Sequence, residues 1–591
     1  MNKFAAVLMC LFSTTAYAQA EFFTAPEWGE IKSSGDNWHV WGRKFENNDG
    51  SFFPTQIFSQ KIPIFAAPPS IILSTDSSSH LPLLTPSQAS YRKTDILLAS
   101  TKKTQQGNLA IELNTQLEYD GFMRFDLTLI PNKPVKVYEL AINLPIRRDI
   151  AKKFSRYIEY NYNTQRVNMG DLKNSAGHLS EPVHFSFNPA VWIGNDSVGI
   201  EWITETNLEW QLDKPARAIS ISPDDELTNL KVRFIDAPKG YNLKNNLTLS
   251  FALFITPSRP ADNNAYQMTS GIPTYKNSGK CPTILQFFNW SQLPVQYPGI
   301  PDVQSGFEPD YHHLVKSTNE SGRKFIPYSS LYILPSTQPD IMKNKDIWSA
   351  AAARHNSHWE TKLQTSKPIL PITMDSKSIQ NFLISKHSLH KKIFNTNGVY
   401  FDGAAPYENA AFKTFGQLLN NNGHHLQYVP MFSHRSFLKS FWEEMKSIDS
   451  SFLILHHAPR VPKFATAFTD IVVVGEELHR IFKTENLHLI NKGVHPNGLP
   501  KLAFDRPEYY IPNYKTLPAS INIGMRHHKD GVKYMLLPQV KKFNDDYLRT
   551  NPDLFSKWSQ SALDFAKKND MLLWFARLKN DLATESNNHC P

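Results

Sequence analysis

Cysteine is scarce, with three residues in a chain of 591. Cys10 lies inside an apolar N-terminal run, which leaves Cys281 and Cys590. An oxidising compartment allows those two to pair or to remain thiols, and neither fits a zinc pattern or a catalytic Cys/His arrangement. Beyond the N-terminus no apolar run approaches the ~20 residues that span a bilayer, so no membrane span is expected. The phosphate-binding loops GxGxxG and GxxxxGK[ST] are both missing, which argues against nucleotide cofactors. HExxH is missing too, so neither a metal nor any other cofactor is expected. The formal charge is +9 with a pI near 9.0, yet no basic run exceeds three residues. Scattered lysines and arginines without a basic helix disfavour nucleic acid and leave an anionic polysaccharide as the better partner.

What is present begins with an export signature. Residues 1–20 carry Lys3, an apolar stretch from Phe4 to Phe12, and two overlapping small-x-small sites at Ala16-Tyr17-Ala18 and Ala18-Gln19-Ala20. This reads as a cleaved signal peptide, and a secreted or periplasmic location is the expectation. The length calls for two large domains. Residues 21–275 read as all-β, because short alternating or β-branched runs such as VGIEWITE, LKVRFIDAP and LTLSFALFITP recur between turn clusters. A β-sandwich is the economical architecture, and its tryptophans, Trp28, Trp38, Trp41, Trp192, Trp202 and Trp210, are either core or a sugar platform.

After Thr256–Pro260 the rhythm changes, and residues 276–591 alternate apolar strands with helix-compatible segments. Strand candidates are 283–290, 324–334, 370–374, 398–403, 425–432, 452–458, 470–477, and 532–539 or 571–577. About eight such strands predict a (β/α)8 TIM-like barrel, with a doubly wound sheet as the alternative.

A parallel barrel displays its chemistry at the C-terminal strand ends. Those ends carry Asn289, Trp290, Tyr328, Ser329, Tyr332, Asp375, Asp402, His434, Arg435, His456, His457, Glu476, Glu477 and Gln539. GVYFDG, Gly398 to Gly403, is the clearest case: an apolar strand ends in one carboxylate and then a glycine that permits a turn. Asp402 is the first catalytic candidate, as nucleophile, base or orienting carboxylate. Glu476 is the general-acid candidate, because the valine run before it supplies apolar surroundings that raise a carboxyl pKa. Glu477 competes with it, since strand alternation sends the two to opposite sides and the phase is open. Tyr328, Tyr400 and Trp290 are candidates for holding sugar rings. Arg435, His456, His457 and Gln539 are candidates for binding substrate polar groups. Two carboxyl groups with aromatic and hydrogen-bonding neighbours are what glycosidic bond hydrolysis needs. A poly- or oligosaccharide, amino-sugar-containing or anionic, is the expected substrate. A polysaccharide lyase and a non-catalytic carbohydrate-binding envelope protein are the alternatives.

Taken in order, FNPAVWIGNDSVGIEWITETNLEW (187–210), GVYFDG, LILHHAP (453–459), FTDIVVVGEEL (468–478) and YMLLPQ (534–539) resemble the broad group related to glycoside hydrolase family 123. The resemblance implies an N-terminal β-sandwich joined to a catalytic (β/α)8 barrel. It also implies a β-N-acetylgalactosaminidase activity, in which an adjacent Asp-Glu pair orients the 2-acetamido group and protonates the leaving oxygen. The chain departs from that pattern. Asp402 is followed by Gly403, and the only Asp-Glu dipeptide, Asp225-Glu226, falls in the expected sandwich. Fold and general reaction class are carried over; the sugar and the acetamido mechanism stay open.

Overall fold

A computed structural model describes residues 28–260 except 77–83, 95–96 and 158–175. In the second half it describes 284–287, 303, 306–349 except 321, 323, 332, 336 and 337, then 369–403, 406, 428–457, 462–474, 532–536, 564–565, 568–569 and 571–573.

Alternation sets the first half. Along Leu109–Glu118 the residues Leu109, Ile111, Leu113 and Leu117 are buried while their neighbours are half-buried or exposed, as expected of strands with one face on a core. Nine antiparallel strands form one sheet and six strands a second, with a five-stranded meander over residues 32–63 beside them. The two larger sheets share one apolar interior. Trp202 and Phe251, both of the nine-stranded sheet, stack with ring centroids 4.7 Å apart, and Phe234 of the other sheet lies 6.2 Å from each. Trp28, Trp38, Trp192, Trp202 and Trp210 are buried and Trp41 is partly so, which makes these tryptophans core and not an exposed sugar platform.

Among the described residues of the second half, seven strands form a parallel sheet: Ile284–Phe287, Lys324–Ser330, Gly398–Asp402, Leu453–His457, Ile471–Val474, Lys533–Leu536 and Leu572–Leu573. Each pairs with the next in chain order, and the order never reverses as it would in a doubly wound sheet. Both 532–539 and 571–577 supply strands. The described parts of two expected strands do not join this sheet. Ile369–Pro371 pairs antiparallel with Ile333–Pro335 in a separate ribbon. Tyr428, in the 425–432 segment, bridges to Thr206 of the sandwich, and a helix, Met431–Ile448, starts within that segment. Pro430 precedes that helix, where a missing N–H costs nothing.

The helix Met431–Ile448 covers the back of the Gly398–Asp402 strand, with Phe441 4.9 Å from Phe401. Gly398 is required at the start of that strand, since a Cβ there would lie 2.4 Å from the Leu453 carbonyl oxygen. The opposite side of the helix receives the sandwich. Arg435 donates to Glu118 and Asp120, Tyr119 donates to Glu443 at 2.8 Å, and the apolar cluster runs unbroken from the sandwich into the helices. Arg259 adds a second buried pair with Asp470 at 3.3 Å, its guanidinium 4.5 Å from the Trp442 ring. The expected junction near residue 275 lies outside the described residues.

Candidate active site

Two faces of the parallel sheet are distinguished by their contacts. Residues in register on neighbouring parallel strands project to the same side. Phe401 and His456 are such a pair, and they lie on the helix side beside Phe441. Tyr328 and Tyr400 are another such pair, with rings 5.6 Å apart, and alternation puts them on the opposite face. Asp402, two residues beyond Tyr400, shares that face and ends the strand partly exposed. Gly403 follows with φ of +69°, a left-handed turn that a side chain resists.

Tyr328 Oη donates to Asp402 Oδ2 at 2.6 Å. A phenol held this way fixes the carboxyl plane. Asp402 pairs by register with Ser330 on one side and with the His457 backbone on the other. The Leu331 amide donates to the Asp402 carbonyl at 3.0 Å, so the backbone at the strand tip is also held. The arrangement offers a carboxylate at a strand end, two buried phenol rings under it and a turn behind it.

Other expected site residues have different placements. Arg435 is not at the sheet rim. It sits in the first turns of the helix, buried, with its guanidinium on Glu118 and Asp120 of the sandwich and over the Phe122 ring at 3.9 Å. His456 is also on the face away from Tyr328, Tyr400 and Asp402. It is fully buried on the helix side, with Nδ1 2.8 Å from Thr469 Oγ1. That hydroxyl already donates to the Ala465 carbonyl, so Nδ1 carries the proton, and Nε2 is left without a partner among apolar neighbours. Burial, aided by His434, pushes the His456 pKa down to about 3, which fits a neutral packing residue. Ser329 faces the same way, 3.1 Å from His387 Nε2, and Trp442 is core. His457 belongs to the strand by its backbone, and its side chain is outside the described set. Glu476, Glu477, Trp290 and Gln539 lie outside the described residues. Asp225-Glu226 is an exposed hairpin tip of the sandwich, far in role from any strand end of the parallel sheet.

A second polar group stands at the same end of the sheet. Helices that return between parallel strands start at the strands' C-terminal side, so Asp375, just ahead of the helix Lys377–Phe394, belongs to that rim. Asp375 accepts from Tyr428 Oη at 2.9 Å and Ser433 Oγ at 3.3 Å. Glu205 of the sandwich accepts the Phe432 amide at 2.7 Å, and burial, with the charge of Asp375 adding to it, lifts its carboxyl to about 7. Nothing in the local sequence announced Glu205, because the amide it accepts, that of Phe432, is 227 residues away. Among the described residues, no group of three or more His, Cys, Asp and Glu is placed to hold a metal ion, and no helix is long and apolar enough to cross a membrane.

Comparison with known proteins gives a family for the sandwich. Residues 31–207 match the family model described as glycoside hydrolase 123, third domain. No curated protein matches the chain. Solved structures similar to it include a family 36 alpha-galactosidase from Geobacillus stearothermophilus, at 8% identity over 95% of this chain and 85% of that one, with a TM-score of 0.38. An alpha-galactosidase from Thermus thermophilus in complex with stachyose is 10% identical over 83% of this chain and 99% of that one, at 0.35. One from Lactobacillus brevis is 10% identical over 84% and 82%, at 0.35. With TM-scores this low, none of the three carries an argument about fold or substrate. The match covers residues 31–207 of the sandwich and is consistent with a glycoside hydrolase 123-related protein.

Proposed function

We propose that this glycosidase works at the C-terminal rim of its parallel sheet, with Asp402 as the ionised carboxylate of the site and Glu476 or Glu477 as the proton donor. The observation that carries the reading is the Tyr328 to Asp402 hydrogen bond of 2.6 Å at the tip of a central strand. A carboxylate oriented there, above buried aromatic side chains, suits a group that must meet one ring of a saccharide at a fixed angle. The next strands supply the second acid: Leu453–His457 and Ile471–Val474 follow in order, and Glu476 and Glu477 come directly after the latter. Seven parallel strands in chain order support closure into a (β/α)8 barrel as the architecture of residues 276–591, with 21–275 as the sandwich domain.

The expected substrate is a poly- or oligosaccharide with amino-sugar or anionic units, met outside the cytoplasm after residues 1–20 are removed. The absence of an acid directly after Asp402 separates the two carboxyl roles onto different strands, instead of an adjacent pair. The test is turnover of a panel of aryl glycosides and polysaccharides by the wild type and by Asp402→Asn, Glu476→Gln and Glu477→Gln. Loss of turnover in Asp402→Asn and in one of the two glutamine variants, with folding retained, supports the assignment. Full turnover by Asp402→Asn overturns it.

A further inference from the structure

The hydroxyl of Tyr157, in the sandwich, donates to the carbonyl oxygen of Pro406 at 2.6 Å. Pro406 is buried and lies four residues beyond Asp402, on the far side of the left-handed turn at Gly403. We propose that Tyr157 is a positioning residue for the reaction, a tether by which the sandwich holds the connection that carries Asp402. The inference rests on the reading of Asp402 as the site carboxylate.

The tyrosine is itself rigidly held, as a tether must be. It is 6% exposed and directly follows the strand Lys153–Arg156, which pairs with Ala190–Gly194. Its amide donates to the Ala190 carbonyl at 2.7 Å and to Asn188 Oδ1 at 3.1 Å, and Asn188 Nδ2 returns a bond to the Tyr157 carbonyl at 2.9 Å. Asn188 is equally buried and also accepts from the Ala190 amide at 3.3 Å. The phenol therefore projects from a locked backbone, and its O–H reaches across the domain interface to one carbonyl.

Proline makes that carbonyl a useful handle. Pro406 has a fixed φ and no N–H, so it cannot be held through a donor of its own. On the strand side the Asp402 backbone is held by Leu331, and the turn begins at Gly403, a residue with little intrinsic preference. A strand end fixed on one side and a carbonyl fixed on the other leave the Asp402 carboxylate little freedom to drift from its bond with Tyr328. A misplacement of about 1 Å in a catalytic group costs on the order of a hundredfold in rate, so a remote hydrogen bond of this kind acts on kcat.

Tyr157→Phe keeps the ring and its packing and removes only the O–H. The amides of 399–405 in this variant should exchange with deuterium about fivefold to tenfold faster than in the wild type, the effect of one lost hydrogen bond. Its thermal midpoint should stay close to that of the wild type. With an aryl glycoside that the wild type cleaves, kcat should fall about tenfold while KM stays the same, a split that general destabilisation does not give. Exchange in 399–405 indistinguishable from the wild type would overturn the tether. Asp402→Asn, measured in parallel, separates the two claims. If it keeps full turnover while Tyr157→Phe speeds exchange, the tether stands and the catalytic assignment of Asp402 falls.

Discussion

Arg435 places one guanidinium nitrogen, Nη2, 2.7 Å from both carboxylate oxygens of Asp120, while Nη1 reaches Glu118 at 2.9 Å. Asp120 is fully buried, so the helix that backs the candidate site is joined to the sandwich by a desolvated ion pair. Burial works against the Glu118 carboxylate, yet Arg435 and Lys439 hold its pKa down at about 2.

Arg435→Met should therefore destabilise the protein by about 3–5 kcal/mol, because it takes from the buried Asp120 carboxylate the guanidinium that pairs with it. Urea denaturation measures this. Adding Asp120→Asn and Glu118→Gln to the same chain should recover a large part of the loss. A single variant as stable as the wild type would show that the pair contributes nothing to docking.

The interface carries two carboxyls of the opposite tendency. Glu201 accepts the Lys463 amide at 3.0 Å and the Phe464 amide at 3.2 Å, yet burial outweighs these bonds and the Lys463 charge and pushes its pKa up to about 7. Glu205 is lifted to the same value, again chiefly by burial. A raised folded pKa gives stability that is complete below the ordinary carboxyl value of 4.5 and is lost as pH climbs through about 7. Melting curves should then show stability falling between those limits. Glu201→Gln, which removes the titration while keeping one oxygen for the Lys463 amide and losing the acceptor for the Phe464 amide, should flatten that decline. Parallel pH profiles for the two proteins would contradict the assignment.

Tyr328→Phe removes the donor to Asp402 without altering the ring that packs on Tyr400. A hydrogen bond to a charged group is worth about 1.5–3 kcal/mol, so kcat should drop about tenfold to a hundredfold if the bond persists in the transition state. Steady-state kinetics on an aryl glycoside checks this; an unchanged kcat would leave the bond a packing detail.

The strand that ends in Asp402 was legible in the sequence because its signals are local. Val399 to Phe401 are buried on both faces of the sheet, and the run ends in an acid and a glycine, which is why Asp402 could be placed from residues alone. Arg435 and His456 were misplaced for different reasons. Arg435 follows an apolar stretch that resembles a strand, but Pro430 starts a helix there, and a helix turns its side chains toward whatever packs on it. His456 shows the cost of an unknown phase: one step along a strand exchanges the face of Tyr328 and Tyr400 for the helix side. The partners of both are distant in sequence. Glu118, Asp120 and Thr469 carry no local signal of these contacts until the fold brings them in, and the same is true of Glu205 and Tyr157.

Turnover by Asp402→Asn is the most direct measurement of the central claim. The substitution keeps the side chain's shape and its ability to accept from Tyr328 while removing the charge. Assayed on the best aryl glycoside found for the wild type, with circular dichroism and thermal midpoint as folding controls, it should lose turnover by at least about a thousandfold with the fold intact, on the scale seen when a member of a catalytic unit is removed. Wild-type turnover in the folded variant would contradict the account.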